Sequence, residues 1–102
     1  MSKRNGTAEQ TVVVVGGNGG MSDRYREVTA KHGLTLQHFE KKVPPGARHG
    51  GSRVGLVVIM VNMVSHALRD AALALAADGA AVVYLRSNSV SALRMAVEQF
   101  AA

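Results

Sequence analysis

The chain has no cysteine among its 102 residues, which removes disulfides, iron–sulfur clusters and thiolate zinc sites from consideration. Aromatic residues make up only 4%, so the core has to be built from valine, leucine, alanine and a few methionines. Long apolar segments are missing as well. The longest run, Val54–Val64, contains Asn62 and is too short to span a bilayer as a helix. The opening MSKRNGTAEQ is polar and lacks the apolar stretch of a secretory signal. A cytoplasmic setting without a membrane partner is therefore the expectation. At this length there is room for one domain, and a hydrophobic fraction of 47% is enough to fill its core.

Negative charge is in short supply: Lys and Arg outnumber Asp and Glu 12 to 7, giving a net charge of +5. Such basicity allows polyanion binding. Its distribution argues against nucleic acid as the first choice, because the concentrations of cations are the N-terminal arm (Lys3, Arg4) and Lys41, Lys42, Arg48 and Arg53. None is interleaved with the aromatics on which single strands stack.

The most informative stretch is Thr11–Ser22, TVVVVGGNGGMS. Val12–Val15 suits a strand buried on both faces. Gly16, Gly17, Asn18, Gly19 and Gly20 then make a turn that can adopt positive φ or admit a ligand to the backbone, and Ser22 is placed to cap a helix. Strand, glycine turn and helix start form an anion-binding geometry.

The remaining pattern alternates. Residues 1–10 read as a flexible arm. A helix is expected over Ser22–His32, with Tyr25, Val28 and Ala30 inward and Gly33 ending it. Leu34–Phe39 alternates as an edge strand, with Leu34, Leu36 and His38 on one face. The Pro- and Gly-containing stretch Lys41–Arg53 reads as a mobile basic loop. Val54–Val61 forms a second central strand, Asn62–Ser65 turns, and a helix runs from His66 towards Asp78 on Leu68, Ala71, Ala72 and Leu75. Ala80–Leu85 is the last strand, and Ser87, Asn88 and Ser89 offer caps for a helix through Phe100. The fold expected is a single α/β, Rossmann-like three-layer domain over 11–102 with a four-stranded parallel sheet in the order 2-1-3-4. That order opens a crevice at the carboxyl ends of the central strands.

Several marks make the chain resemble the bacterial domain-of-unknown-function 2325 family over most of Val12–Phe100. They are Gly16-Gly17 after the first strand, Tyr25-Arg26 on the first helix, and His38 at the end of the second strand. To these add Val64-Ser65-His66 closing the third strand and Arg86-Ser87 after the fourth. It departs from the family at Val54-Gly55, where an acidic residue is common, and on the helix after Ser65-His66, where a lysine is frequent. The resemblance implies a small Rossmann-like domain and carries no established activity.

Gly17-Asn18-Gly19-Gly20-Met21-Ser22 approximates the dinucleotide fingerprint, with Glu40 near the place of its ribose-binding acid. Taken alone, the turn reads first as ligand-free, then as a cradle for a phosphate-bearing small molecule, and last as a nicotinamide site, since the chain is too short for a second half. Ser65 and His66 are neighbours without an orienting acid nearby, so Ser65 reads as a helix cap and His66 as a neutral polar group in the first turn. The histidines show no metal-ligand spacing. Arg86, after a buried strand, is the candidate countercharge.

The leading reading is a non-catalytic domain that binds an anionic, phosphate-bearing small ligand through Gly16, Gly17, Asn18, Gly19, Gly20, Ser22, Asn62, Ser65, His66, Arg86 and Ser87. No cofactor, metal or catalytic residue is assigned. The alternative is an interaction module, in one form a homodimer, whose basic surface Lys41, Lys42, Arg48 and Arg53 meets an acidic partner or nucleic acid.

Overall fold

The computed structural model describes residues 10–43, 53–76 and 79–101. Its centre follows from two runs of aliphatic residues. β1 (Gln10–Val15) and β3 (Arg53–Met60) lie side by side, and Val12–Val15 and Leu56–Ile59 expose no surface at all. β2 (Thr35–Phe39) and β4 (Ala81–Leu85) flank them, giving a four-stranded, wholly parallel sheet in the order β2-β1-β3-β4. This is the order expected from the sequence.

Because side chains alternate across a strand, each valine run supplies two cores. Val12, Val14, Leu56 and Val58 pack under α1 (Ser22–Ala30) and α3 (Val90–Ala101) through Tyr25, Val28, Leu93 and Val97. Val13, Val15, Val57 and Ile59 pack under α2 (His66–Leu75) through Leu68, Ala72 and Leu75. Burying each such side chain contributes about 1.5–3 kcal/mol before the entropy of ordering it. The connection after β1 therefore leaves on one side of the sheet and that after β3 on the other, which parts them at their carboxyl ends. Among the described residues no helix is long and apolar enough to cross a membrane.

Local details depart from the sequence reading. α1 stops at Ala30, and Gly33 follows at φ 70°. Ala30 is exposed, and Thr29 takes the buried place with its hydroxyl donating to the Arg26 carbonyl at 3.0 Å. Positions 25, 28 and 29 share a helix face whereas 30 lies off it. α2 ends at Leu75, short of the expected Asp78, and 77 and 78 lie outside the described residues. Gln10, expected in the arm, and Arg53, expected in the loop, are strand residues. The rest of the arm (1–9) and of the loop (44–52) lies outside the described residues.

Gly17 has φ 75°, and a Cβ there would stand 2.7 Å from Met60 Sδ and 3.2 Å from the Tyr25 hydroxyl. Gly33 has a similar φ of 70° with nothing within 4 Å. Gly33→Ala should cost about 1 kcal/mol for backbone conformation alone. Gly17→Ala should cost more, about 2–4 kcal/mol, because overpacking adds to it. Urea unfolding of both variants checks the difference, and equal costs would contradict the packing.

Candidate functional site

The glycine turn is fixed from the β2 side. Gly16 and Gly17 adopt φ 89° and 75°, a conformation that disfavours any side chain. The Gly16 amide donates to the Phe39 carbonyl at 2.9 Å, and the Gly16 carbonyl accepts from His38 Nε2 at 2.7 Å. Gly19–Met21 then forms a short 3-10 turn that runs directly into α1. Asn18, and not Ser22, is its cap: Asn18 Oδ1 accepts from the Gly20 amide at 2.8 Å and its carbonyl from the Met21 amide at 2.9 Å. Ser22, expected as the α1 cap, is instead the first residue of α1, one position past its cap Met21, and its Oγ contacts His38 Nδ1 at 2.7 Å. The amides of Asn18 and Gly19 find no acceptor among the described residues, and both residues are exposed.

Tyr25 ties this turn to the other strand ends. It is fully buried, its hydroxyl donates to the Asn88 carbonyl at 2.6 Å, and it lies 3.6 Å from Met60 Sδ. Its ring meets His38 edge-on, with centroids 5.1 Å apart at 70°, a favoured aromatic arrangement. Gly17 packs over Met60, Tyr25 and Asn88. The turns after β1, β3 and β4 are thus contiguous at the crevice. Beside them is a cleft of about 290 Å³ lined by Met60, Asn62, Arg86, Ser87 and Asn88, at the small end for ligand pockets.

Within the cleft the polar side chains are unequally committed. Asn62 Nδ2 donates to the Arg86 carbonyl, which holds the β4 turn. Ser87 Oγ accepts from the Ser89 amide at 3.0 Å, and Ser89 Oγ caps α3 by accepting from the Ala92 amide at 3.1 Å. Arg86 is exposed. The sequence also allows it a surface ion pair with Asp70, Asp78 or Glu98: Asp70 lies 3.7 Å from Arg69, Asp78 is outside the described residues, and no Arg86–Glu98 pair is found among the described residues.

The second half of the expected site is differently placed. Ser65 Oγ caps α2 by accepting from the Leu68 amide at 3.1 Å. His66 is the exposed first residue of α2, on the opposite side of the sheet from α1 and α3. Parallel topology keeps both at the same edge as the glycine turn, yet no described hydrogen bond joins them to it. Glu40 stands closer, its Oε1 2.6 Å from the position of a Cβ on Gly19. Lys41 and Lys42 are exposed beside it, while Arg48 and the Arg53 side chain lie outside what is described.

His38 and Tyr25 are the residues the sequence reading undervalued. A histidine in phase with Leu34 and Leu36 sits on the core side of its strand, which was the available signal. Asn88 and Met60 gave none, because they act through a carbonyl and a contact.

Residues 11–100 match the family described as "Uncharacterized protein conserved in bacteria (DUF2325)". No curated protein matches the chain. Among solved structures, a de novo designed Rossmann 2x2 fold protein, determined by solution NMR, is similar at a TM-score of 0.54 and 16% identity. The match covers 91% of this chain and 87% of that one. At that identity the likeness concerns the fold.

Burial raises the pKa of Tyr25 above its ordinary value of 10.0, since the phenolate would lose its hydration. As pH climbs past about 10 the unfolded chain releases this proton first, so the native state holds more protons and stability falls until the folded group also ionises. Below that window the contribution is complete. Urea unfolding at alkaline pH should show the loss in the wild type and a smaller one in Tyr25→Phe. An identical decline in both would refute it. At neutral pH the same variant should lose about 1–3 kcal/mol, because the Asn88 carbonyl is left without its donor.

Proposed function

The chain belongs to the uncharacterised bacterial family DUF2325, a membership that fixes no activity, and we propose that it binds a small phosphate-bearing anion at the carboxyl edge of β1 and β3. One observation carries this reading. The positive-φ turn leaves the amides of the exposed residues Asn18 and Gly19 without acceptors among the described residues, at the strand parting that has Arg86 on the same edge. Backbone donors must be satisfied by water or by a ligand, and guanidinium pairs bidentately with phosphate. Ser87 and Asn62 hold the Arg86 turn in place, and Ser65 and His66 supply only a polar margin.

Glu40 shapes the choice of ligand. A carboxylate against Gly19 repels bare phosphate, so the anion sits on the Arg86 side of the turn and Glu40 is left to accept hydrogen bonds from hydroxyl groups. A phosphorylated polyol fits both requirements better than an inorganic anion. The basic-surface alternative has no feature of the described residues in its favour beyond the exposure of Lys41 and Lys42.

Titration of inorganic phosphate and of a sugar phosphate, followed by amide shifts, tests the reading. Shifts should centre on Gly16–Ser22 and Arg86. Arg86→Ala should weaken binding more than tenfold, the equivalent of losing a charge-assisted contact of about 1.5–3 kcal/mol, while leaving the melting temperature nearly unchanged. Glu40→Gln should tighten phosphate and weaken the sugar phosphate relative to it. Absence of shifts at the glycine turn, with shifts at Lys41 and Lys42 on adding DNA, would replace this reading with the basic-surface one.

A further inference from the structure

Ser22 and His38, sixteen positions apart, meet at 2.7 Å through Oγ and Nδ1, and His38 Nε2 lies 2.7 Å from the Gly16 carbonyl. A carbonyl oxygen can only accept, so Nε2 carries the proton. In the neutral ring Nδ1 is then bare, and the short contact is the Ser22 hydroxyl donating to it. Nucleophile, base and orienting group form a chain, with the backbone carbonyl holding the tautomer that an acid holds in a serine triad. Tyr25 fixes the ring plane edge-on from the buried side. Ser22 and His38 are both half-buried, so the pair is neither sealed in the core nor bathed in solvent. The adjacent Ser65 and His66 lack this relation: no hydrogen bond joins their side chains among the described residues, and Ser65 Oγ accepts from the Leu68 amide at the start of α2.

We infer that Ser22 and His38 are a serine–histidine dyad that hydrolyses a small carboxylic ester, an activity that goes beyond the anion binding proposed above and draws on the same glycine turn. Ser22 Oγ attacks the ester carbonyl carbon as its proton passes to His38 Nδ1. The tetrahedral adduct collapses, the bond to the alcohol oxygen breaks, and Nδ1 returns the proton to that oxygen. Water then attacks the acyl-serine, giving its proton to Nδ1, and the bond to Oγ breaks as that proton goes back to Oγ. One ester and one water become one carboxylic acid and one alcohol. The charge that develops on the carbonyl oxygen calls for an amide donor, and the Asn18 amide, which finds no acceptor among the described residues, lies within the same turn.

The test uses the full chain and an alkyl fluorophosphonate, which phosphonylates only activated serines. Peptide mass spectrometry should find the adduct on Ser22, and Ser22→Ala should abolish it. His38→Gln retains a donor for the Gly16 carbonyl but no base, and it should slow labelling by at least about 100-fold, the usual contribution of a general base. No adduct on Ser22, or labelling indifferent to His38→Gln, overturns the proposal. A second measurement needs no variant: long-range proton–nitrogen NMR of the wild-type imidazole should find Nε2 protonated and Nδ1 bare in the neutral ring. The opposite tautomer would mean that Nδ1 cannot take the serine proton, and the dyad would be refuted.

Discussion

Gly16 gives both of its backbone groups to β2, its amide to the Phe39 carbonyl and its carbonyl to His38 Nε2. That pairing extends the parallel ladder past Val15, the last β1 residue, and holds the chain while it reverses through two positive-φ residues. Everything downstream depends on it. Asn18 can cap the 3-10 turn only if the reversal is fixed, α1 can begin at Ser22 only after that turn, and Tyr25 reaches the core only because α1 begins there. The Phe39 carbonyl and the His38 ring together hold the turn from which the first helix starts.

The carboxyl edge of the sheet combines opposing electrostatic contributions. Turn amides without acceptors among the described residues, helix N-termini and Arg86 contribute positive potential there, while Glu40 against Gly19 opposes it. The balance is local and not a matter of the net charge of +5, because exposed charges beyond a Debye length are screened. The cleft itself is modest, and the side chains around it are largely used to hold one another: Asn62 holds the Arg86 turn, Ser87 the Ser89 amide, and Tyr25 the Asn88 carbonyl. Such mutual commitment ties the turns after β3 and β4 and the first helix to one another.

The double core explains why so few aromatics suffice. Val12–Val15 serve both sheet faces, and the alanines of α2 let that helix approach closely with only Leu68, Ala72 and Leu75 fully engaged. Tyr25 is the exception, and its hydroxyl has a partner deep in the structure, as a buried polar group must. Placing the one fully buried aromatic of the described residues under the glycine turn puts the bulkiest packing where three loops converge.

Strand identity, sheet order and the position of the glycine turn were determined by the sequence alone. Runs such as Val12–Val15 and Leu56–Ile59 can be satisfied only by burial on two faces, and short connections with right-handed crossovers leave few topologies open. Ser65 as a cap and the positive φ of the glycines were legible for the same reason, since each is set by its immediate neighbours. The tertiary structure decided which side chains meet. Ser22 leaves its expected capping role for His38, Asn18 caps the 3-10 turn that leads into α1, and Tyr25 joins a carbonyl sixty-three residues away. Those pairings depend on the angle at which α1 crosses the sheet and on the relative register of β1 and β2. Both are properties of packing that no local pattern encodes.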